Sequence, residues 1–206
     1  MVKLQFLSIF FFLLILTINS GCGGDDILSF EDAVMKCDEE MAIRKANKED
    51  GMSIYKDNLV CIIGAKMPEF EAKTIDEKPI DKNYFSGKVN IINFWFDRCK
   101  PCIAEIPGFN ALVKKYEGQD VNFLAISTDK KIDIETYIQK APFNFDHVAQ
   151  GTDLYRKTFK SKSGFPYTLV IDKQNIIRHV ISGGRVDSLA IQMIQDKLVP
   201  VIDQYL

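Results

Sequence analysis

Residues Lys88 to Phe96 are nearly continuous in apolar and aromatic side chains (Val89-Asn90-Ile91-Ile92-Asn93-Phe94-Trp95-Phe96), which predicts a central strand buried on both faces. The period then changes. Ile103, Ile106, Phe109, Leu112, Val113 and Tyr116 recur at helical spacing, with Gly118 just beyond, so the segment from Cys99 to Tyr116 is predicted as a helix. Pro107 lies inside it, removes one backbone hydrogen bond and predicts a bend after the second turn. Downstream the pattern predicts a strand at Val121 to Ser127, a helix from Ile132 to Lys140, a short strand near Phe145 to Val148 and a helix around Asp153 to Phe159. Strands at Tyr167 to Ile171 and Ile176 to Ile181, and a helix from Asp187 to about Tyr205, close the chain. Strand and helix alternate, the signature of an α/β domain with a mixed sheet.

Upstream of this block, Phe70, Ala72 and Thr74 alternate before a turn at Asp76-Glu77-Lys78 and Pro79, which predicts a small hairpin. Across residues 28–50 and just before them, the apolar positions Ile27, Phe30, Val34 and Met41 stand among many charges and suggest a short amphipathic helix, an N-terminal extension. The beginning of the chain reads differently. Lys3 precedes an apolar run from Phe6 to Ile18 broken only by Ser8 and Thr17, with small residues at Ser20 and Gly21. A membrane span wants about 20 apolar residues, whereas the apolar region of an export signal has roughly 7–15. Residues 1–21 are therefore expected to be a signal peptide, a retained anchor being the alternative. Ile18-Asn19-Ser20-Gly21-Cys22 resembles the bacterial lipobox, although Asn19 departs from the usual small or β-branched residue, so a plain soluble export signal remains the other reading. Lipidation of Cys22 would tether the mature protein to a membrane, since more than one acyl chain suffices for stable anchoring. Residues 22–63 are then tether and extension, and 64–206 the folded domain.

Composition narrows the function. A chain of 206 residues accommodates one domain plus an export segment. Its 26 basic and 28 acidic residues are mixed along the sequence to a net charge of -2, so no basic field exists to hold nucleic acid. Cysteines stand at 22, 37, 61, 99 and 102, an odd set for an exported protein that lipidation of Cys22 would make even. Cys37 and Cys61 are then candidates for a structural disulfide, the alternative being two unpaired thiols. Zinc would need a second close pair of ligands, but the two histidines, His147 and His179, stand far apart. No metal and no bound cofactor are expected.

Cys99-Lys100-Pro101-Cys102 follows the buried strand and opens a helix, the context of a redox-active pair. Free amides and the dipole at a helix start favour a thiolate, which makes Cys99 the nucleophile. Arg98 and Lys100 add positive charge beside it, while Pro101 stiffens the first turn and removes an amide donor. Residues three apart share a helix face, so Cys102 is placed as the resolving thiol. Glu105 lies one turn further. Partly desolvated, it would have a raised pKa and could shuttle the proton of Cys102; the plainer reading is a solvated helix carboxylate. Pro166, in Gly164-Phe165-Pro166-Tyr167, directly precedes a strand, where an X-Pro bond tolerates the cis form and the Phe165 backbone could pair with an extended substrate.

The stretches Asn93 to Cys102, Glu105-Ile106-Pro107 and Gly164-Phe165-Pro166 resemble the TlpA/ResA-like thioredoxin-like proteins of bacteria, over about Gly64 to Leu206. The resemblance implies a thioredoxin-like fold, a mixed sheet flanked by helices, with a central αβ insertion between Val121 and Phe159. It also implies a catalytic pair at Cys99 and Cys102, a helix carboxylate at Glu105 and a cis Pro166. Asn93 stands where a thioredoxin carries a buried aspartate, and Arg98 replaces the tryptophan often found before the first cysteine. The implied activity is reduction of specific extracytoplasmic protein disulfides, fed by an upstream membrane thiol-disulfide electron donor; run backwards, the same exchange oxidises a dithiol substrate, and the residues leave both directions open. Two other classes compete: an exported binding module or chaperone whose CxxC is structural, and a thiol peroxidase. The latter's PxxxTxxC pattern would require proline and threonine where Ile92 and Phe96 stand.

Overall fold

A computed structural model describes residues 27–49, 51 and 60–206; the expected signal peptide, Cys22 and residues 23–26 lie outside the described residues. Helix α1 spans Phe30–Ala46 and is capped by Ser29, whose Oγ accepts the amide of Asp32 at 3.1 Å. Its inward face is Phe30, Ala33 and Cys37; Val34 and Met41 are only half-buried, and Ile27 precedes the helix and is exposed. The expected amphipathic stripe is thus rotated by about one residue, because the two apolar positions Val34 and Met41 yield the interior to Cys37. The hairpin forms from β1 (Ala72–Lys73) and β2 (Pro79–Ile80), with Glu77 in the left-handed region closing the turn. A four-residue helix, α2 (Lys82–Phe85), follows.

The main sheet is built from β3 (Val89–Trp95), β4 (Val121–Ser127), β5 (Asp146–Val148), β6 (Tyr167–Ile171) and β7 (Ile177–Ser182), in the order β5-β4-β3-β6-β7. Strands β5, β4 and β3 run parallel, and β6 and β7 complete the sheet antiparallel. All seven residues of β3 are buried, as its unbroken apolar run requires of a strand with neighbours on both edges and layers on both faces. Successive side chains point to opposite faces. Val89, Ile91 and Trp95 meet α3 (Lys100–Lys115) and α5 (Leu189–Tyr205) through Ile106, Phe109, Leu112, Ile194, Leu198 and Ile202. On the other face Ile92 and Phe94 join Phe30 and Cys37 of α1, Ile80, Tyr155 and Phe159. Each such side chain contributes roughly 1.5–3 kcal/mol when fully enclosed, so α1 is part of the folded body on this second face. Helix α4 (Lys131–Lys140) bridges β4 to β5 and buries Ile134.

Helices α3 and α5 cross closely at Gly108, where a β-carbon would lie 3.1 Å from both the Ile191 carbonyl oxygen and the Ile194 Cβ. Two expectations need correction. The helix expected around Asp153 to Phe159 is a single π-turn, Leu154–Thr158, closed by the Phe159 amide on the Leu154 carbonyl at 2.8 Å. The wider turn lets Tyr155 and Phe159 both reach the interior beside Phe94. The predicted boundaries also move: Cys99 is the N-cap of α3 and not its first turn, and α5 starts two residues after Asp187.

Candidate active site

The carboxyl end of β3 delivers the chain to the surface, and α3 begins shortly after it at Lys100. Cys99 caps that helix: its Sγ accepts the amide of Cys102 at 3.3 Å, and its carbonyl accepts Ile103 N at 3.0 Å. The two cysteines are joined as a disulfide with Cα atoms 5.2 Å apart, placing the pair within one helical turn. Exposure does not distinguish them, at 5% for Cys99 and 3% for Cys102; position does. Only Cys99 sits at the helix mouth, where unpaired amides and the dipole stabilise a sulfur anion. Pro101 occupies the first turn, where its missing amide costs nothing.

The flanking cations contribute less than their sequence positions suggest. The Arg98 side chain is 89% exposed and its Nε lies 3.5 Å from Asp97 Oδ1, so water and its own partner screen it from the sulfur. Lys100 is likewise exposed.

Glu105 departs furthest from an ordinary surface carboxylate. It lies one turn after Cys102 on the same helix face, is 0% exposed, and neither carboxyl oxygen has a hydrogen-bond partner among the described residues. Burial disfavours its charged form and pushes its pKa up to about 8, against a smaller opposing pull from Lys197 on α5. The solvated reading of this residue does not hold. Asn93, on the face of β3 that meets α3, donates its Nδ2 to Thr168 Oγ1 at 2.9 Å, so the sheet presents a neutral amide beneath the site.

The Phe165–Pro166 peptide bond is cis, and the proline ring borders Gly184, whose α-carbon also borders the Glu105 carboxyl. Its loop is held from two sides. The Tyr155 hydroxyl donates to the carbonyls of Ser163 at 2.8 Å and Gly164 at 3.0 Å, and the Gly183 amide donates to the Pro166 carbonyl at 2.9 Å. Phe165 packs against Tyr155 with ring centroids 4.5 Å apart and meets Phe96 edge-on at 5.3 Å, forming an aromatic rim that is half-buried. Tyr155 and Gly184 belong to the site without any motif announcing them: Tyr155 holds the loop, and a β-carbon on Gly184 would lie 2.3 Å from Glu105 Oε1, the available signal for the latter being the adjacent glycine pair just after β7.

Away from this site, Cys37 and Cys61 are bridged with Cα atoms 5.9 Å apart, tying α1 to the segment before β1. His147 lies on β5 with Nε2 2.8 Å from the Phe143 carbonyl, and His179 lies on β7. Among the described residues no group of three potential metal ligands converges, and no helix is long and apolar enough to cross a membrane.

The AhpC/TSA family pattern matches residues 63–180. The chain belongs to the AhpC/TSA family. Among the relatives of this AhpC/TSA chain, the thiol-disulfide oxidoreductase ResA of Geobacillus thermodenitrificans is 25% identical over 132 residues, 64% of this chain and 75% of the relative. ResA of Bacillus thuringiensis is 29% identical over 122 residues, 59% of this chain and 70% of the relative. A thiol-disulfide oxidoreductase from Bacteroides vulgatus superposes with a TM-score of 0.56 at 27% identity, covering 70% of this chain and 96% of that one. The thiol:disulfide interchange protein DsbE from Chlorobium tepidum, at 19% identity and a TM-score of 0.58 over 66% of this chain and 95% of its own, shares the fold. The fold is thioredoxin-like.

Proposed function

We propose that the protein is an extracytoplasmic thiol-disulfide oxidoreductase that reduces specific protein disulfides. The observation that carries this reading is a cysteine pair bridged across the first turn of α3, with a buried carboxyl one turn along and a cis-proline ring across Gly184 from that carboxyl. In the reduced form the Cys99 thiolate attacks one sulfur of a client disulfide; a Cys99–client bond forms, the client bond breaks and the second client sulfur leaves as thiolate. The Cys102 proton passes to Glu105 when that carboxyl is ionised. The Cys102 sulfur then attacks Cys99, closing the observed bridge and releasing the first client sulfur. Burial pushes the Glu105 carboxyl up to about 8, well towards the range in which thiols ordinarily ionise, which suits it to take the Cys102 proton. Phe165 offers its backbone, beside the rim of Phe96, to an extended client segment.

Electrons then return from a membrane thiol donor, and residues 1–22 deliver and tether the protein through lipidated Cys22. The lipobox-like Ile18 to Cys22 and the short apolar run before it support this placement. Turnover of a model protein disulfide tests the reading. Cys99→Ser is expected to abolish reduction, and Cys102→Ser to accumulate a Cys99 mixed disulfide detectable by mass. Unchanged activity in both variants would leave only a binding module with a structural bridge. For a thiol peroxidase, the positions held by Ile92 and Phe96 are apolar and offer no hydroxyl to a peroxide.

A further inference from the structure

Two adjacent glycines end the turn after β7, and they are glycine for different reasons. Gly183 has φ +71°, a left-handed conformation that side chains resist, whereas Gly184 does not. The restriction at 184 is steric. A β-carbon on Gly184 would lie 2.3 Å from Glu105 Oε1, 3.0 Å from Glu105 Cδ and 3.1 Å from Pro166 Cγ. Gly184 is itself exposed, while the carboxyl it touches is wholly enclosed. A single glycine backbone therefore roofs the Glu105 carboxyl on the solvent side, and the same α-carbon abuts the cis-proline ring.

We propose that Gly184 is a positioning residue for Glu105: its missing side chain makes the space in which the carboxyl lies between α3 and the cis-Pro166 loop. The proposal rests on the oxidoreductase reading for its consequence, that the proton of Cys102 has an acceptor at this point. Charged or titratable groups facing Glu105 are few. They are the cysteine pair one turn earlier on α3 and Lys197 on α5, with His179 on β7 feeling the same lysine. Arg185 and Asp187, beyond Gly184, pair with each other at 2.5 Å. The cis-proline loop from Ser163 to Pro166 brings no ionisable side chain. A methyl group at 184 has one flexible neighbour to push, the Glu105 carboxyl, and one rigid neighbour, the proline ring.

The test is a carbon-13 titration of the Glu105 carboxyl in the full folded chain with both disulfides intact, together with the pH profile of client reduction. In Gly184→Ala the displaced carboxyl gains water, and its acid dissociation constant is expected to rise tenfold or more, with the pH profile moving alike. In Glu105→Asp/Gly184→Ala the carboxyl is one methylene shorter, and the profile is expected to return towards that of Glu105→Asp alone. On a Glu105→Gln background the alanine is expected to leave the pH profile unmoved. An unshifted Glu105 titration in Gly184→Ala overturns the proposal, as does a shift of the pH profile that persists on the Glu105→Gln background, which would assign the effect to Pro166. Should Gly184→Ala fail to fold, recovery of folding in the Glu105→Asp/Gly184→Ala double variant supports the contact, and failure of both refutes it. Loss of client reduction in the native chain would sink the functional reading alone, because the carbon titration is read without turnover.

Discussion

Replacing Glu105 with glutamine removes a buried ionisable group without changing shape, and the structure sets the size of the effect. An isolated glutamate titrates near 4.5, whereas this one is pushed to about 8. Between those values the folded protein holds a proton that the unfolded chain has lost, so stability falls as pH rises, by about 1.4 kcal/mol per pH unit. The sign follows from the raised folded-state pKa: the full stability is present below about pH 4.5 and is lost as pH climbs through 8. Over the whole interval the loss approaches about 5 kcal/mol, a large part of an ordinary domain's stability. Glu105→Gln has no proton to lose. Urea unfolding of the oxidised native and variant proteins at pH 5, 6, 7 and 8 is therefore expected to give a difference that grows in the variant's favour by about 1.4 kcal/mol per pH unit. Any cost of burying the amide shifts all four values equally. A difference that stays constant from pH 5 to 8 would show that Glu105 titrates as a solvated side chain, and the enclosed carboxyl on which its proton-shuttling role depends would be refuted.

Three further outcomes follow from the same geometry. Cys37→Ala/Cys61→Ala opens a bridge closing a 24-residue separation and is expected to lower stability by about 3 kcal/mol in urea unfolding, while alkylation of reduced Cys99 keeps its rate; equal unfolding midpoints would count against a stabilising role. Asn93→Asp deprives Thr168 of its donor and buries a second carboxylate on the α3 face, costing about 1–3 kcal/mol more at pH 8 than at pH 5. A pH-independent loss would contradict this. Tyr155→Phe leaves the Ser163 and Gly164 carbonyls without this donor, for a stability loss of about 1–3 kcal/mol and a raised KM for the client disulfide; an unchanged KM would separate this hydroxyl from client binding.

Elements with a dense, local pattern were legible in the amino-acid sequence alone. The run from Val89 to Trp95 has no polar face to expose, so it had to become the strand enclosed on both sides. The helical spacing from Ile103 to Tyr116 settled which side of α3 meets that strand, and it put Cys99, Cys102 and Glu105 on successive turns. A cysteine pair between a buried strand and a helix was readable as chemistry for the same reason. Other features depend on residues brought together from distant positions. Whether Glu105 is enclosed turns on Gly184 in a loop after β7, and nothing in the helix's own pattern carries that information. The π-turn at Leu154–Thr158 has an α-like pattern, and only the demand to seat Tyr155 and Phe159 beside Phe94 widens it. The inward face of α1 shifted because Cys37 is tied to Cys61, a constraint between sites that no periodicity encodes. Local pattern sets backbone period and the order of reactive groups; solvation, and with it the pKa of a buried carboxyl, belongs to whatever the fold lays over it.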